Sequence, residues 1–343
     1  EIENVGGAFS LLHTSNGRLS LSTAHNWMRF DEPGPLSNIE LGMSRTQSSS
    51  YYKFDHKAER KHRAALEGEL KLNEGVELSG SVSGEIRKAD GVRTLLLSPQ
   101  FADTKNRVLS TSRLGSLLQL TFDSLRLPFN SKLIVGIDTA LHFLSSEYYP
   151  FFAGELSKYS AASSSARGQL DEQGDGDRRT IAAFLQYELL PVNDLKILLS
   201  GRFDGLRDTY TPKAPSEGQN TSSTHSAFSP KVGLNYRYIN TTAQAGNLYA
   251  NVSRSFKAPT LDQLYDQRSI PVPFPPFKIS LSNSELKPQF GTNIEVGGYH
   301  RATLIPQTLV GEVSLAAYAM EMKDELDFNL EQFKYVNIGK SRH

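Results

Sequence analysis

The sequence lacks cysteine, an excess of one charge and any long apolar run, and each absence excludes a class of protein. With no cysteine among 343 residues, a disulfide-stabilised scaffold and a cysteine-ligated metal site are excluded. Lys and Arg total 37, and Asp and Glu also total 37, so the balance does not favour a strongly basic nucleic-acid-binding protein. No apolar run approaches the roughly 18 to 20 residues that a membrane-spanning helix requires. The hydrophobic residues must therefore be organised by a shorter period.

That period is two, because apolar and polar residues alternate strictly over windows of about ten positions. Between Leu133 and Phe143, for example, Ile137 lies on the apolar face, whereas Asp138 and His142 lie on the other. Such alternation is typical of a β-strand with one buried or lipid-covered face. The same division recurs in residues 64–72, 76–86, 181–189 and 195–203.

The connections between these strands are of two alternating kinds. Short ones carry the Gly, Asn or Pro of tight turns, as at Asn16–Gly17 and 73–75. In an antiparallel meander, this alternation places the short turns at one end and the long connections at the other. Within the long connections, only Leu261–Tyr265 could form a turn or so of helix. We predict long polar or aromatic connections at residues 31–57, 88–110, 145–177, 207–226 and 258–287.

Two architectures share alternation, and strand length and charge separate them. A soluble β-sandwich has strands of about five or six residues with the apolar face inward. An outer-membrane barrel has strands of about ten residues with the apolar face outward. Glu67, Glu69 and Arg87 would each cost several kcal/mol if buried without a partner, and a wet lumen removes that cost. The pattern therefore predicts an all-β fold, a transmembrane antiparallel meander β-barrel.

The second half of the chain resembles a known family. Residues 228–236, which read Phe-Ser-Pro-Lys-Val-Gly-Leu-Asn-Tyr, and residues 247–260, which end in Ser-Arg-Ser-Phe-Lys-Ala-Pro-Thr, are similar to the barrel of TonB-dependent outer-membrane receptors. The resemblance extends from about Thr180 to the C-terminus and is only generic before that. Further landmarks occur in the matching order at residues 184–187, 195–204, 286–288, 294–297, 318–325 and 335–340.

The resemblance also implies parts that the sequence does not display. Members of the family carry an N-terminal plug domain inside the barrel and a segment that recruits the TonB protein, and neither is visible here. We count about 13 strands of a larger barrel, which the resemblance implies has about 22. We therefore expect residues 1–343 to be a partial barrel domain without a plug, and the chain to be a fragment of a longer receptor.

In this architecture, the long connections and the upper lumen wall would select a ligand. The Pro-rich stretch from Pro271 to Pro276 suits a binding lip, because it holds its shape with little loss of entropy. Packing of the loop aromatics on one another is the alternative reading, as is a salt bridge in the lumen wall for Arg254 and a structural hydrogen bond for the lumen-facing His142. The scattered histidines favour no metal site. Our candidate ligand-binding residues are Tyr148, Tyr149, Phe151, Phe152, Arg254, Tyr265, Arg268, Phe274, Phe277 and Lys278.

The resemblance implies a receptor in the outer membrane of a Gram-negative bacterium, in contact with outer-membrane lipid. Such receptors bind a scarce nutrient, such as a ferric siderophore, haem, a vitamin or a glycan, and import it with energy supplied through the TonB complex. We find no catalytic constellation and expect neither an enzyme nor a cofactor. A passive porin or structural barrel and, less well, a soluble β-rich binding module remain as alternatives. An upstream plug domain would favour the receptor, and folding that needs no detergent would favour the soluble module.

Overall fold

The fold is taken from a computed structural model of the chain. The structure describes residues 1–47, 52, 54–98, 101–123, 127–151, 167–215, 220–265, 268–271, 278–305, 308–329, 331–332 and 334–343, with the side chains of residues 97, 98, 101, 102, 271 and 278 excepted.

Thirteen strands form one antiparallel meander, in which each strand pairs with the next one along the chain and β10 pairs with β13. β11 and β12 form a separate two-stranded sheet within the β10–β13 connection. The strands are β1 (Ile2–His13), β2 (Gly17–Asp31), β3 (His56–Asn73), β4 (Val76–Ser98), β5 (Phe101–Phe122), β6 (Lys132–Pro150), β7 (Glu172–Val192), β8 (Leu195–Ala214), β9 (Thr221–Asn240), β10 (Gln244–Lys257), β11 (Ser269–Pro271), β12 (Lys278–Ser280), β13 (Gln289–Ile305), β14 (Leu309–Asn329) and β15 (Lys334–Arg342).

This architecture confirms the predicted all-β meander and the predicted number of strands in the main sheet. Among the residues that the structure describes, β1 and β15 each pair on one side only, so the sheet is not closed. The described ranges also contain two short helices, α1 (Asn38–Met43) and α2 (Leu261–Tyr265). α2 was predicted as a turn or so of helix and α1 was not predicted. In the described part of the chain no helix is long and apolar enough to cross a membrane, a finding that has no bearing on crossing by strands.

The strand register carries the alternation from strand to strand, so that the sheet has an apolar face and a polar face. On the apolar face Leu66 pairs with Val82 and Leu118 pairs with Ile137. Val82 and Ile137 are 52% and 53% exposed, because no described element covers this face. We call this strip of exposed Leu, Val, Ile and Phe side chains the apolar band.

The polar face carries a set of ion pairs and receives α2. Tyr210 of the polar face belongs to the buried cluster around α2, and Leu144 packs against that cluster. Because the charged residues satisfy one another on this face, they need not be excluded from the sheet. The ion pairs are Glu59–Arg87, Lys61–Glu85, Asp138–Arg202, Arg202–Asp204 and Arg178–Asp208.

The long connections agree with the prediction at three of five places. β2 and β3 are separated by residues 32–55, β6 and β7 by 151–171, and β10 and β13 by 258–288, although the last contains β11 and β12. The predicted connections at 88–110 and 207–226 were wrong, because β4 and β5 continue to 98 and from 101, and β8 and β9 continue to 214 and from 221. Past the apolar band, polar residues such as Thr94 and Asp103 are buried on both faces of the sheet, so the apolar/polar alternation disappears while the backbone hydrogen bonds continue.

Candidate ligand-binding surface

The connection between β10 and β13 folds back across the polar face at the end of the sheet where the long connections lie. Leu261, Leu264 and Tyr265 of α2 form a buried cluster with Tyr210 of β8 and Leu286. The rings of Tyr265 and Tyr210 stack with centroids 5.2 Å apart, and the Tyr265 hydroxyl donates to Ser223 Oγ at 3.0 Å. Burial raises the pKa of Tyr265. This cluster fixes α2 over the interior of the sheet.

Two arginines of the polar face hold the N-terminal side of α2. Arg107 donates from Nη1 and Nη2 to the two carboxylate oxygens of Asp262, at 3.0 and 2.7 Å. Arg178 pairs in the same two-pronged way with Asp208 and donates from Nη2 to the carbonyl oxygen of Pro259 at 2.6 Å. Parallel charge-assisted bonds of this type fix direction as well as distance. The position of α2 is therefore set by the polar face of the sheet beneath it, which forms the wall of the cavity described below.

A second pair of contacts ties the segment after α2 to β5 and β7. Arg268 Nη2 donates to Asp103 Oδ2 at 3.0 Å, with side-chain exposures of only 11% and 2%. The Ser269 amide donates to both carboxylate oxygens of Glu172, at 3.2 and 3.1 Å, and Lys105 Nζ lies 3.3 Å from Glu172 Oε2. Burial raises the pKa of Glu172, although Lys105 and Ser269 act in the opposite direction.

Beneath α2, the strand register aligns charged side chains in one row across the polar face. In the strand register, Glu85 lies opposite Arg113, Arg113 opposite His142, His142 opposite Arg178, and Arg178 opposite Asp208. These residues, Asp208 excepted, line a cavity of about 450 Å³, which α2 bounds from above. We call this set of five residues the lumen row.

Within the lumen row, Arg113 can bind an anionic group of a ligand. The other charged members have partners, Lys61 for Glu85 and Asp208 for Arg178, whereas Arg113 is exposed and forms no ion pair with the described residues. A guanidinium group held in a concave polar site binds carboxylates, phosphates and other anions.

Several residues predicted to bind ligand make internal contacts instead. Tyr148 is 3% exposed and lies under Arg107, whose Cζ is 5.2 Å from the ring centroid. Phe151 is 8% exposed and packs edge-on against Phe54 at 6.0 Å. Together with Tyr265 and Arg268, they stabilise the end of the sheet where the long connections lie, which we call the mouth. These contacts agree with the alternative that loop aromatics pack on one another.

Tyr149 is the predicted aromatic that stays partly accessible. Its hydroxyl donates to Glu147 Oε2 at 2.6 Å, and Arg167 Cζ lies 3.3 Å from the centre of its ring. The hydrogen bond to Glu147 raises the pKa of Tyr149. Because Tyr149 follows Tyr148 in β6, it lies on the opposite face of the sheet from Tyr148 and Arg107, and its ring does not face the cavity beneath α2.

The other predicted residues do not join this group. Arg254 lies on the apolar face of β10, two positions after Val252, and its Cζ is 4.2 Å from the ring centre of Phe290. It therefore forms no lumen-wall salt bridge. Lys278 begins β12, and its side chain lies outside the described residues. Phe152, Phe274 and Phe277 also lie outside the described residues.

Sequence reasoning missed Arg113, which joins its neighbours only through strand register, and Asp262, which meets Arg107 only because α2 folds back over the sheet. It also missed a histidine pair on the apolar face, His25 and His62, whose Nδ1 atoms are 3.0 Å apart. Their sequence spacing gives no hint of this contact, and only the β2–β3 register reveals it. The described residues contain no group of three or more side chains suited to holding a metal ion.

Comparison with known families decides what this sheet belongs to. The model described as "TonB dependent receptor-like, beta-barrel" matches residues 8–343. The chain belongs to this family. A search of curated proteins finds no match.

Solved structures of TonB-dependent receptors share the fold. The ferripyoverdine receptor of the outer membrane of Pseudomonas aeruginosa, bound to ferripyoverdine, superposes with a TM-score of 0.70 at 14% identity, over 99% of this chain and 45% of that one. The siderophore receptor PiuA from Acinetobacter baumannii gives 0.66 at 13% identity, over 99% and 53%. The ferric-catecholate import receptor Fiu from E. coli K12, in its closed form, gives 0.62 at 16% identity, over 99% and 54%. The chain thus spans about half the length of these relatives.

Proposed function

We propose that this chain is the wall and part of the binding mouth of a receptor that imports a scarce nutrient across the outer membrane of a Gram-negative bacterium. The observation that carries the proposal is the cation-bearing cavity beneath α2, bounded by a connection that the wall holds in place. A binding site built into the passage favours selective uptake of a captured solute over free diffusion. No catalytic step is part of the proposal.

We propose residues 1–343 as a partial barrel domain of such a receptor. The family match from residue 8 to residue 343 supports this boundary. A plug and the TonB complex would then be partners that act together with this wall, and outer-membrane lipid would cover the apolar band. In that orientation the end with the long connections faces outward.

The charge of the site favours an anionic ligand, and we propose a ferric siderophore. The cavity is lined by Arg87, Arg113 and Arg178 against Glu85 and Asp262, and Arg113 is free to meet a ligand group. Many iron chelates carry net negative charge, and two of the structural relatives are described as ferric-catecholate and ferripyoverdine receptors.

The test is iron-limited growth of a host that lacks its own siderophore receptors and expresses the native protein. Ferric catecholate, ferric hydroxamate, ferric citrate, cobalamin and a glycan are supplied singly. We expect one anionic ferric chelate to restore growth, and deletion of the host tonB gene to abolish it. TonB-independent uptake of all five solutes, with open-channel conductance in planar bilayers, would instead establish the passive porin.

The variant Arg113→Gln tests the site within the same assay. We expect the ligand concentration for half-maximal uptake to rise roughly tenfold, because one charge-assisted contact is lost. Arg18→Gln is the matched control, since Arg18 lies on the same face at the opposite end of the sheet and pairs with Glu69 at 2.9 Å. Equal effects of the two variants would contradict the assignment of Arg113.

A further inference from the structure

The apolar face carries two adjacent cations that lack a counter-ion. Arg60 on β3 and Lys88 on β4 are direct cross-strand partners, and both are exposed. Neither forms an ion pair with any described residue. Like charges directly opposite each other destabilise a sheet. The pair is therefore expected to be stabilised by an anion from outside the chain.

The nearest carboxylates do not provide that anion. Asp90 lies two positions beyond Lys88 and accepts a hydrogen bond from Asn106 at 2.8 Å, and its other neighbour is His56, at 4.0 Å. Glu3 lies in the same row, but Trp27 stands between it and Arg60. Neither Asp90 nor Glu3 therefore pairs with Arg60 or Lys88.

The position of the pair relative to the apolar band points to a lipid. One row nearer the band lie His25, His62 and Ile86, and below them the face is apolar. Trp27 is the direct neighbour of Arg60. Tryptophan and basic residues are the side chains that sit where hydrocarbon gives way to headgroups.

A groove begins at His25, His62 and Ile86, one row from this pair, and runs into the band. Its floor is one row of the register, formed by Gly7, Thr23, Ala64 and Gly84. Added bulk at Gly84 would meet nothing within 4 Å, so the floor is open to the outside. The groove encloses about 750 Å³, which suits a flexible acyl chain.

We propose that Arg60 and Lys88 bind the phosphate group of a phosphorylated acyl lipid, whose chain lies in the groove over Ala64 and Gly84. Trp27 packs beside the headgroup. The two cations meet the phosphate, and the open strip of small residues accommodates the hydrocarbon. This inference rests on the proposed orientation in the membrane but not on the nature of the imported solute.

The experiment is native mass spectrometry of the full protein, released from detergent micelles with diphosphoryl lipid A, dephosphorylated lipid A or inorganic phosphate added. We expect retention of diphosphoryl lipid A and weak retention of the dephosphorylated form. The double variant Arg60→Gln/Lys88→Gln should bind diphosphoryl lipid A roughly 30-fold more weakly, from about fivefold for each basic side chain. The charge-preserving variant Arg60→Lys/Lys88→Arg should retain binding.

Arg179→Gln/Arg207→Gln is the matched control. Arg179 and Arg207 are also cross-strand partners on the apolar face, but Arg179 lies 3.5 Å from Asp177. This control should bind lipid A as the native protein does. Equal loss in both double variants would reveal diffuse attraction and overturn the proposal, as would full retention by the first variant. Displacement of the lipid by inorganic phosphate would also overturn it.

Folding of each variant is checked by heat-dependent mobility in SDS gels. If the double variant is unfolded, the single variants should each show the fivefold loss.

Discussion

Buried carboxylates near the long connections have several partners each. Asp55 accepts hydrogen bonds from the Thr94 amide and hydroxyl, both at 2.7 Å, and burial raises its pKa. Glu172 is held by Ser269 and Lys105. Removing one partner from such a group costs more than the intact pair contributes, because a desolvated charge is left behind. These residues therefore report on whether the contacts near the long connections are intact.

The first prediction concerns the pH dependence of the contact between Glu172 and Ser269. Because burial raises the pKa of Glu172 above its ordinary value of 4.5, the folded state holds the proton more tightly than the unfolded chain does. The stabilisation is fully present below pH 4.5 and is lost as pH rises through the raised pKa. We expect the hydrogen-exchange protection factor of the Ser269 amide to fall over that interval, and Glu172→Gln to remove the dependence.

Asp171→Asn provides the control for this measurement. Asp171 also contacts Lys105, with Nζ and Oδ2 3.0 Å apart. Burial, and not Asp171, is the main cause of the raised pKa of Glu172. The variant should therefore keep the fall in protection. A pH profile for Glu172→Gln that matches the native profile would show that another group is responsible.

At the scale of elements, α2 depends on the wall for its order, because five residues are too few to form a stable helix alone. Asp262→Asn weakens the two-pronged contact with Arg107, whose side chain and that of Asp262 are 25% and 37% exposed. We expect a local loss of about 1 kcal/mol, the usual scale for a partly exposed ion pair. Hydrogen exchange over residues 261–265 should accelerate about fivefold.

Asp194→Asn is the corresponding control at the other end of the sheet. Asp194 accepts from Arg237 Nε at 2.9 Å, so the variant makes the same change in charge at another arginine–aspartate ion pair. Exchange over residues 261–265 should stay at the native rate in this variant. An unchanged rate in Asp262→Asn would mean that the apolar cluster alone holds α2.

The strands also show which parts of the fold the sequence predicts. Strands such as β6 were predictable because one of their faces is apolar over Leu133–Phe143 and the other is polar. The outer parts of β4 and β5 were not, because polar residues such as Thr94 and Asp103 are buried there on both faces and leave no apolar period in the side chains. For the site, the composition of the connections indicated Tyr265 and Arg268, which hold α2 and the segment after it. The lumen row required the pairing of Glu85 with Arg113 and of Arg113 with His142, which sequence spacing does not encode.

For the whole molecule, the decisive prediction is which face meets lipid. The chain has no cysteine, so single cysteines can be introduced without background labelling. In the native membrane, Ile137→Cys should react with a lipid-soluble maleimide and resist a charged one, because Ile137 belongs to the apolar band. Asp138→Cys, its neighbour on the opposite face, should react with the charged reagent. Reversed labelling of the two sites would refute the proposed orientation.

The continuation of β4 to Ser98 and of β5 from Phe101 beyond the apolar band has a consequence for uptake. At about 3.4 Å per residue and a tilt of about 45°, this ribbon lifts the rim roughly 25 Å above the hydrocarbon. In the uptake that we propose, a solute would pass this rim well before it reaches Arg113. Residues at the rim could then change without altering the charge of the cavity beneath α2.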